Sequence, residues 1–386
     1  MGLIKERSES LVIPSVEIER ILRTFPRYPL IEKTSETREL LYLGEYMRAL
    51  NPHFGAVYLK DDSRINSIYG GNKIRKLEFI IGDAMSLGTR ELWTIGGLGS
   101  HHALATALHC QSLGIKCRVF HVPQPITVQV LSTLGALISA DPTLHLMCRP
   151  LEGERLAHSV KRQLSSWLAA GERELGAAPY FVPAGGSSCL GTMGHILAAF
   201  ELSREIDEGR IPMIDRIYVA AGSGSTLAGL ALGLYIAQRP IEVVGVRVVS
   251  KSLVNERVIH RLIQGSVRLI EAQGAQLEGW EEGTRYRILK NHIGRGYGFE
   301  TESGQKAKIL CATDELALDS IYTAKAMGAL IEEASKLSGI SLFWNTLSSS
   351  DRDPLFAHSD ALGGLSSLPQ SYQELLRSSL NNEHSS

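Results

Sequence analysis

Lys73 stands in GGNK, residues 70–73, behind two glycines and at the head of an amphipathic run. An average lysine is a solvated cation. Glycines at 70 and 71 permit the close backbone packing that carries an amine into a pocket. Burial there lowers the lysine pKa, the property a Schiff-base nucleophile needs. The neighbouring Arg75 and Lys76 read as salt-bridging or solvated, with Glu78 as the partner of one of them.

GSGST, residues 222–226, offers a different capacity. It lies between the apolar run 217–221 and a helical stretch from Thr226 onward. Its backbone N–H groups can converge on an anion, Ser225 and Thr226 add hydroxyl donors, and the helix start adds unpaired N–H groups and a favourable dipole. A phosphate fits this string, and so does a plain glycine turn capped by serine. No GK[ST] follows, and the glycines at 222, 224 and 229 lack dinucleotide spacing, which excludes the Walker and Rossmann fingerprints.

GGLGSHH, residues 96–102, places Ser100 and His101 at another strand-to-helix turn, where open parallel sheets bind ligands. Carboxylate binding and helix capping are both open to them. His101 and His102 face different ways if helical, and no acidic or cysteine partner has metal-site spacing nearby, so no metal is expected.

These turns punctuate an alternation of short apolar runs and helical patterns. A strand is read at 57–59, then a helix with Leu77, Ile80, Ile81, Ala84 and Met85 on one face. Runs at 92–95 and 117–120 flank the helical HHALATALHCQSL. Helical sequence at 126–134 precedes a further run at 137–139, and a long helical stretch covers 151–172. Strands follow at 217–221, 242–249 and 340–344, the last after a helix pair or broken helix in LALDSIYTAKAMGALIEEASKLSG. Such βα alternation predicts mainly parallel sheets covered by helices. The first 25 residues are weakly patterned and read as an arm or a partner-contacting segment. Beyond Asn345 the chain turns rich in serine, aspartate and asparagine, and no element is read there.

The 386 residues suffice for two buried cores. Forty Lys+Arg against 41 Asp+Glu give a formal net charge of -1, with no electrostatic footprint for nucleic acid. The 5 cysteines form no CxxC pair, which points away from a disulfide framework or a zinc knot and toward a reducing cytoplasm. No apolar leader or membrane-spanning run is present in the sequence, so neither secretion nor a membrane partner is expected.

Taken in order, GGNKIRKLEF (70–79), IGGLGSHH (95–102), PAGGSSCLG (183–191), GSGSTLAG (222–229), GYG (296–298) and LDSIYTAKAM (318–327) resemble one family. It is the D-cysteine desulfhydrase and 1-aminocyclopropane-1-carboxylate (ACC) deaminase group of pyridoxal-5'-phosphate (PLP) enzymes, and the resemblance covers roughly residues 25–345. It implies the tryptophan-synthase-β-like fold type II: α/β, with two open twisted, mainly parallel sheets and helices on both faces. One domain is inserted in the other. Residues 1–25 would be the arm, 26–90 with 216–386 the larger PLP-binding domain, and 91–215 the smaller domain.

The resemblance also implies roles. Lys73 matches the Schiff-base lysine, with Asn72 beside it, and Gly222, Ser223, Gly224, Ser225 and Thr226 match the phosphate cradle. Tyr322 matches a tyrosine packed on the pyridine ring, Tyr297 a second tyrosine beside the substrate, and Ser100 a serine that arranges the substrate carboxylate. His102 and Thr323 match the desulfhydrase branch, where deaminases carry glutamine and glutamate, and both count as substrate contacts. Thr346 is expected opposite the pyridine nitrogen. Two places depart from the family. His101 replaces an asparagine that contacts the cofactor's 3'-oxygen, which makes it a candidate for both cofactor and substrate, and WNTLSS replaces a segment with histidine and two glycines, Asn345 standing for the histidine. The implied activity is β-elimination from a small amino acid such as D-cysteine, giving a 2-oxoacid, ammonia and sulfide, in a homodimer. ACC ring opening, another PLP-dependent lyase or racemase, and a catalytically degenerate PLP-binding protein are the alternatives.

Overall fold

The computed structural model describes residues 15–148, 155–175, 178–348 and 368–383. Among these residues the strands are β1 (Glu36–Glu39), β2 (Phe54–Asp61), β3 (Glu91–Gly97), β4 (Lys116–Val122), β5 (Thr143–Leu146), β6 (Tyr180–Val182), β7 (Arg216–Ala221), β8 (Glu242–Arg247), β9 (Tyr286–Leu289) and β10 (Gly339–Asn345). They form two sheets, ordered β1-β2-β10-β7-β8-β9 and β5-β4-β3-β6. All pairs are parallel except β1 with β2. Parallel strands require crossovers, and helices supply them.

The helices are α1 (Ser15–Leu22), α2 (Leu41–Leu50), α3 (Asn72–Ser86), α4 (His101–Ser112), α5 (Val128–Ser139), α6 (Leu156–Leu175), α7 (Cys189–Asp207), α8 (Ser225–Ile236), α9 (Glu256–Glu271), α10 (Trp280–Gly283), α11 (Glu302–Ala312), α12 (Thr323–Glu333) and α13 (Gln370–Glu383). Strand side chains alternate between the faces they cover. Ile217, Val219 and Val243 pack under α7, α8 and α9, whereas Tyr218, Val244 and Val246 pack under α11 and α12. Both faces of the six-stranded sheet are therefore covered, which is why its inner strands β2, β10, β7 and β8 read as apolar runs, while the edge strands β1 and β9 do not.

Several expectations change. The run at 137–139 is the last turn of α5, not a strand. Val130, Leu134 and Leu137 recur at helical spacing and are all buried. A three-residue apolar run carries no period of its own to separate the two. Within the stretch read as an arm, Ser15–Leu22 is a helix whose Ile18, Ile21 and Leu22 join the core around α7 and α9, while residues 1–14 lie outside the described residues. Gln370–Glu383 is helical and packs beside the four-stranded sheet, although residues 349–367 lie outside the described residues. Met85, read on the inward face of α3, is exposed, and Phe79 is buried instead.

Glu78 pairs with neither Arg75 nor Lys76. It accepts from Arg27 (2.6 Å) and from the backbone N–H groups of Leu30 and Ile31 (2.9 and 3.0 Å). Arg75 is buried and bridges Asp62 (2.7 Å) and Glu201 (3.1 Å), and Trp344 Nε1 donates to the same Asp62 (2.8 Å). These contacts join the ends of β2 and β10 to the first turn of α3, so a buried charge network fixes the helix that carries Lys73.

Candidate active site

The loops after β2, β7 and β10 leave the carboxyl edge of one sheet, and those after β3, β4 and β6 leave the carboxyl edge of the other. Side chains from the two sets meet, as ligand-binding loops do in open parallel sheets.

At the first edge, Gly71 N–H donates to Asp62 O (2.7 Å), and Gly70 N–H donates to Ser348 Oγ (3.0 Å). Gly71 has φ of 81°, and a Cβ there would meet Thr346 O at 2.9 Å, so only glycine suits the turn. The chain then enters α3. Lys73 Nζ donates to Asn72 Oδ1 (2.6 Å), and Asn72 Nδ2 donates to Thr226 Oγ1 (2.9 Å). Thr346 meets this turn through its carbonyl, which accepts from Asn72 N–H (3.4 Å). Burial lowers the Lys73 amine to about 8, and the Asp319 carboxylate acts in the opposite direction.

Beside Lys73, the 222–224 turn ends in Gly224, whose φ of 96° is left-handed, and α8 begins at Ser225. Ser187, from the loop after β6, lies 2.6 Å from Ser223 Oγ and 3.0 Å from Ser225 Oγ. Three hydroxyls and the start of α8 thus converge on one place. Lys76 is buried nearby with its amine on Gly185 O (3.1 Å), and burial together with Lys73 pushes its pKa well down. An anion suits this surrounding of hydroxyls, backbone donors and a buried amine.

The second edge and the β9–β10 connection of the first sheet together form a recess lined by Gly99, His101, Gln124, Thr127, Gln129, Val130, Tyr297, Gly298, Ile321 and Tyr322. The hydroxyls of Tyr297 and Tyr322 lie 2.7 Å apart, with their rings edge-on at 6.0 Å. Burial raises the pKa of both, so each remains a protonated hydroxyl near neutral pH. The Tyr322 ring lies against the phosphate-like turn: a Cβ on Gly222 would meet its Cε1 at 2.9 Å. His101 sits between elements, its Nδ1 2.5 Å from Tyr69 Oη and its Nε2 3.4 Å from Gln129 Nε2.

The expected residues therefore fall into three groups. Lys73, Asn72, Gly222, Ser223, Gly224, Ser225 and Thr226 surround the anion-like place, with Thr346 behind them. His101, Tyr297 and Tyr322 line the recess. Ser100, His102 and Thr323 are not among its lining residues. Ser100 Oγ caps α4 by accepting from Ala103 N–H (3.2 Å), and it packs back against Gly96. His102 is buried with Nε2 2.9 Å from Thr94 Oγ1, and burial with Lys73 and Lys76 keeps it neutral. Thr323 donates to Asp319 Oδ2 (2.7 Å).

Asp319, Lys325, Gln124 and Gln129 also support the site. Asp319 accepts from the backbone N–H groups of Ile321, Tyr322 and Thr323 (2.9, 2.7 and 3.0 Å), which orients Tyr322. An aspartate four residues before Thr323 was the available signal. Lys325 is buried and donates to Ile293 O (2.8 Å), steadying the loop that carries Tyr297. Gln124 and Gln129 come from a segment with no motif, and only the fold brings them to the recess.

Residues 43–342 match the family described as pyridoxal-phosphate dependent enzyme. The chain is 31% identical over 338 residues to a D-cysteine desulfhydrase of Salmonella paratyphi B, covering 84% of this chain and 95% of that one. The D-cysteine desulfhydrase of Salmonella typhimurium is likewise 31% identical, over 324 residues, covering 82% of this chain and 91% of the relative. Among solved structures, an ACC deaminase homologue superposes with a TM-score of 0.71 at 27% identity, covering 88% of this chain and 98% of that one. An O-ureido-L-serine synthase shares the fold at a TM-score of 0.53 and 13% identity, covering 92% of this chain and 98% of that one.

Proposed function

The chain belongs to the pyridoxal-phosphate dependent enzymes, within the D-cysteine desulfhydrase and ACC deaminase group, and from that premise we propose that it eliminates a β-substituent from a small amino acid, D-cysteine being the leading substrate. Two observations of the fold fit the cofactor. Ser187, Ser223 and Ser225 converge beside the N-terminus of α8, as a phosphate requires. Lys73 presents a partly buried amine, lowered to about 8, one hydrogen bond from Asn72.

When bound, PLP supplies an electron sink for the negative charge that develops at the substrate Cα. The remaining work falls to the chain. Asn72 and Thr226 hold the Lys73 amine, which takes the Cα proton as general base. The Tyr297–Tyr322 hydroxyl pair, protonated and lining the recess, hands a proton to the departing thiolate. Water then hydrolyses the resulting unsaturated amine, and the net products are pyruvate, ammonia and hydrogen sulfide. His101, held between Tyr69 and Gln129, orients the amino acid, while Ser100 fixes the α4 terminus that faces its carboxylate. In this reading His102 and Thr323 shape the site from behind, through Thr94 and Asp319.

The observation that carries the proposal is the tyrosine hydroxyl pair at 2.7 Å in the recess beside the phosphate-like turn. A second reading, ACC ring opening, is favoured by the likeness to the ACC deaminase homologue. The test is to supply the PLP-loaded protein with D-cysteine, L-cysteine, β-chloro-D-alanine and ACC and to identify the 2-oxoacid released. Pyruvate from D-cysteine or β-chloro-D-alanine supports the proposal. 2-Oxobutyrate from ACC supports the second reading, and no 2-oxoacid from any of them overturns both.

The proposal extends to organisation. The sheets fed by 36–61 with 216–345, and by 91–182, support a larger domain interrupted by a smaller one. Exposed Leu41, Tyr42 and Leu50 on α2 support a homodimer contact, to be checked by sedimentation. No helix among the described residues is long and apolar enough to cross a membrane, and a cytoplasmic location is part of the proposal.

A further inference from the structure

The helix α13 lies beyond residue 342, where the family match ends, yet it is seated against the wall of the recess. Tyr372 and Leu376, four residues apart, share one face of α13, and Leu368 just precedes the helix. All three are buried in a cluster with Leu98, Val130 and Leu134. Val130 also lines the recess, and Leu98 directly precedes the recess glycine Gly99. The apolar contact is pinned by a polar one. Tyr372 Oη lies 2.8 Å from His121 Nδ1, with the rings edge-on at 5.7 Å and both residues buried.

The pin reaches the site through the backbone. His121 on β4 is the register partner of Gly96 on β3. Gly96 packs so closely under Ser100 that a Cβ on it would meet Ser100 Oγ at 2.4 Å. Tyr372 thus bears on β4, β4 on the end of β3, and that end on the start of α4. Leu98 and Val130 form a parallel route from α13 to the 97–100 turn and to the head of α5.

We infer that α13 is a positioning element for the substrate recess: through Tyr372–His121 and the Leu98–Val130 contact it holds the 97–101 turn and the head of α5, and so fixes the width of the recess. Resting on the reading of that recess as the substrate site, it assigns to a segment outside the family match a share in substrate selection. The cofactor side does not depend on α13, because Lys73 and the 222–226 turn are held by β2, β7 and β10. Burial keeps His121 neutral, down to about 3, so the pin persists across the working pH range.

The test compares Leu376→Ala and Tyr372→Phe with the wild-type protein, all PLP-loaded. Amide hydrogen exchange is read by peptide, together with KM and kcat for the amino acid that the wild type turns over. Exchange in 97–104 and 127–134 is expected to rise roughly tenfold, with 217–229 unchanged, because the loss is local. KM is expected to rise about fivefold or more while kcat stays within about twofold, since binding shared by the ground state and the transition state is weakened. A uniform rise in exchange, or unchanged exchange in 97–104 with unchanged KM, overturns the inference and leaves α13 a purely structural appendage. If Leu376→Ala does not fold, Tyr372→Phe decides, because it removes a single oxygen. If the wild type turns over no amino acid, the proposed function has failed, and exchange in 97–104 still decides the role of α13.

Discussion

Consider the amine of Lys73 in the protein stripped of cofactor. Packing around the first turn of α3 lowers its pKa from an ordinary 10.5 to about 8, and Asp319 partly offsets the burial. At pH 7 the neutral fraction is then about 10%, against roughly 0.03% for a solvated lysine, a gain of about 300-fold. Competitive labelling with acetic anhydride, read peptide by peptide by mass spectrometry, measures this directly. The Lys73 peptide should label with a midpoint near pH 8. Asp319→Asn removes a charge that favours the protonated amine, so the midpoint should fall further while the Asn side chain keeps much of the shape. Linkage gives a second readout with a definite sign. Between pH 8 and 10.5 the unfolded chain holds a proton on Lys73 that the fold does not, so this residue makes stability rise with pH across that window. Lys73→Met should lose that rise. A midpoint at or above 10, or an upward shift in Asp319→Asn, refutes the reasoning.

Other outcomes follow from the same geometry. Gly222→Ala drives a methyl to 2.9 Å from the Tyr322 ring, and should weaken PLP retention on dialysis by roughly tenfold or more, with the apo fold intact by circular dichroism. Tyr297→Phe and Tyr322→Phe break one shared hydrogen bond. A double-mutant cycle on kcat/KM should give a coupling of about 0.5–3 kcal/mol, and additive effects would contradict the paired role. Arg75→Met leaves Asp62 without its buried cation, Glu201 keeping Lys60, and should cost about 3–5 kcal/mol in urea unfolding, with no comparable loss expected for exposed Arg210→Met.

The fold was legible where chemistry and period coincide. The glycine turns at 70–71 and 222–224 are marked by residue type, because few other residues accept left-handed backbone or so close an approach. The four inner strands of the six-stranded sheet announced themselves as apolar runs because helices cover both faces, whereas the edge strands β1 and β9 carried no such run. What escaped reading is what only tertiary contact creates. His102 and Thr323 carried the marks of substrate contacts, yet their neighbours Thr94 and Asp319 engage them away from the recess. Gln124 and Gln129 sit in a segment without a motif. The spacing of Leu368, Tyr372 and Leu376 was present but interrupted by polar residues, and its partner surface at Leu98, His121 and Val130 lies far earlier in the chain, His121 being 251 residues before Tyr372. The departures from the family at 345–348 are integrated locally. Asn345 donates to Asp61 (2.9 Å) and accepts from Leu347 N–H (3.2 Å), while Ser348 receives the Gly70 N–H.

The central claim is that Lys73 carries PLP, and one experiment tests it most directly. The purified chain is incubated with PLP, reduced with borohydride, digested, and searched by mass spectrometry for the lysine bearing the cofactor, with the visible spectrum recorded before reduction. The prediction is a band at roughly 410–430 nm that borohydride abolishes, and a single reduced adduct on the peptide containing Lys73. In Lys73→Ala both should vanish while the fold survives. An adduct on Lys76 or another lysine, or a band that persists in Lys73→Ala, would contradict the assignment.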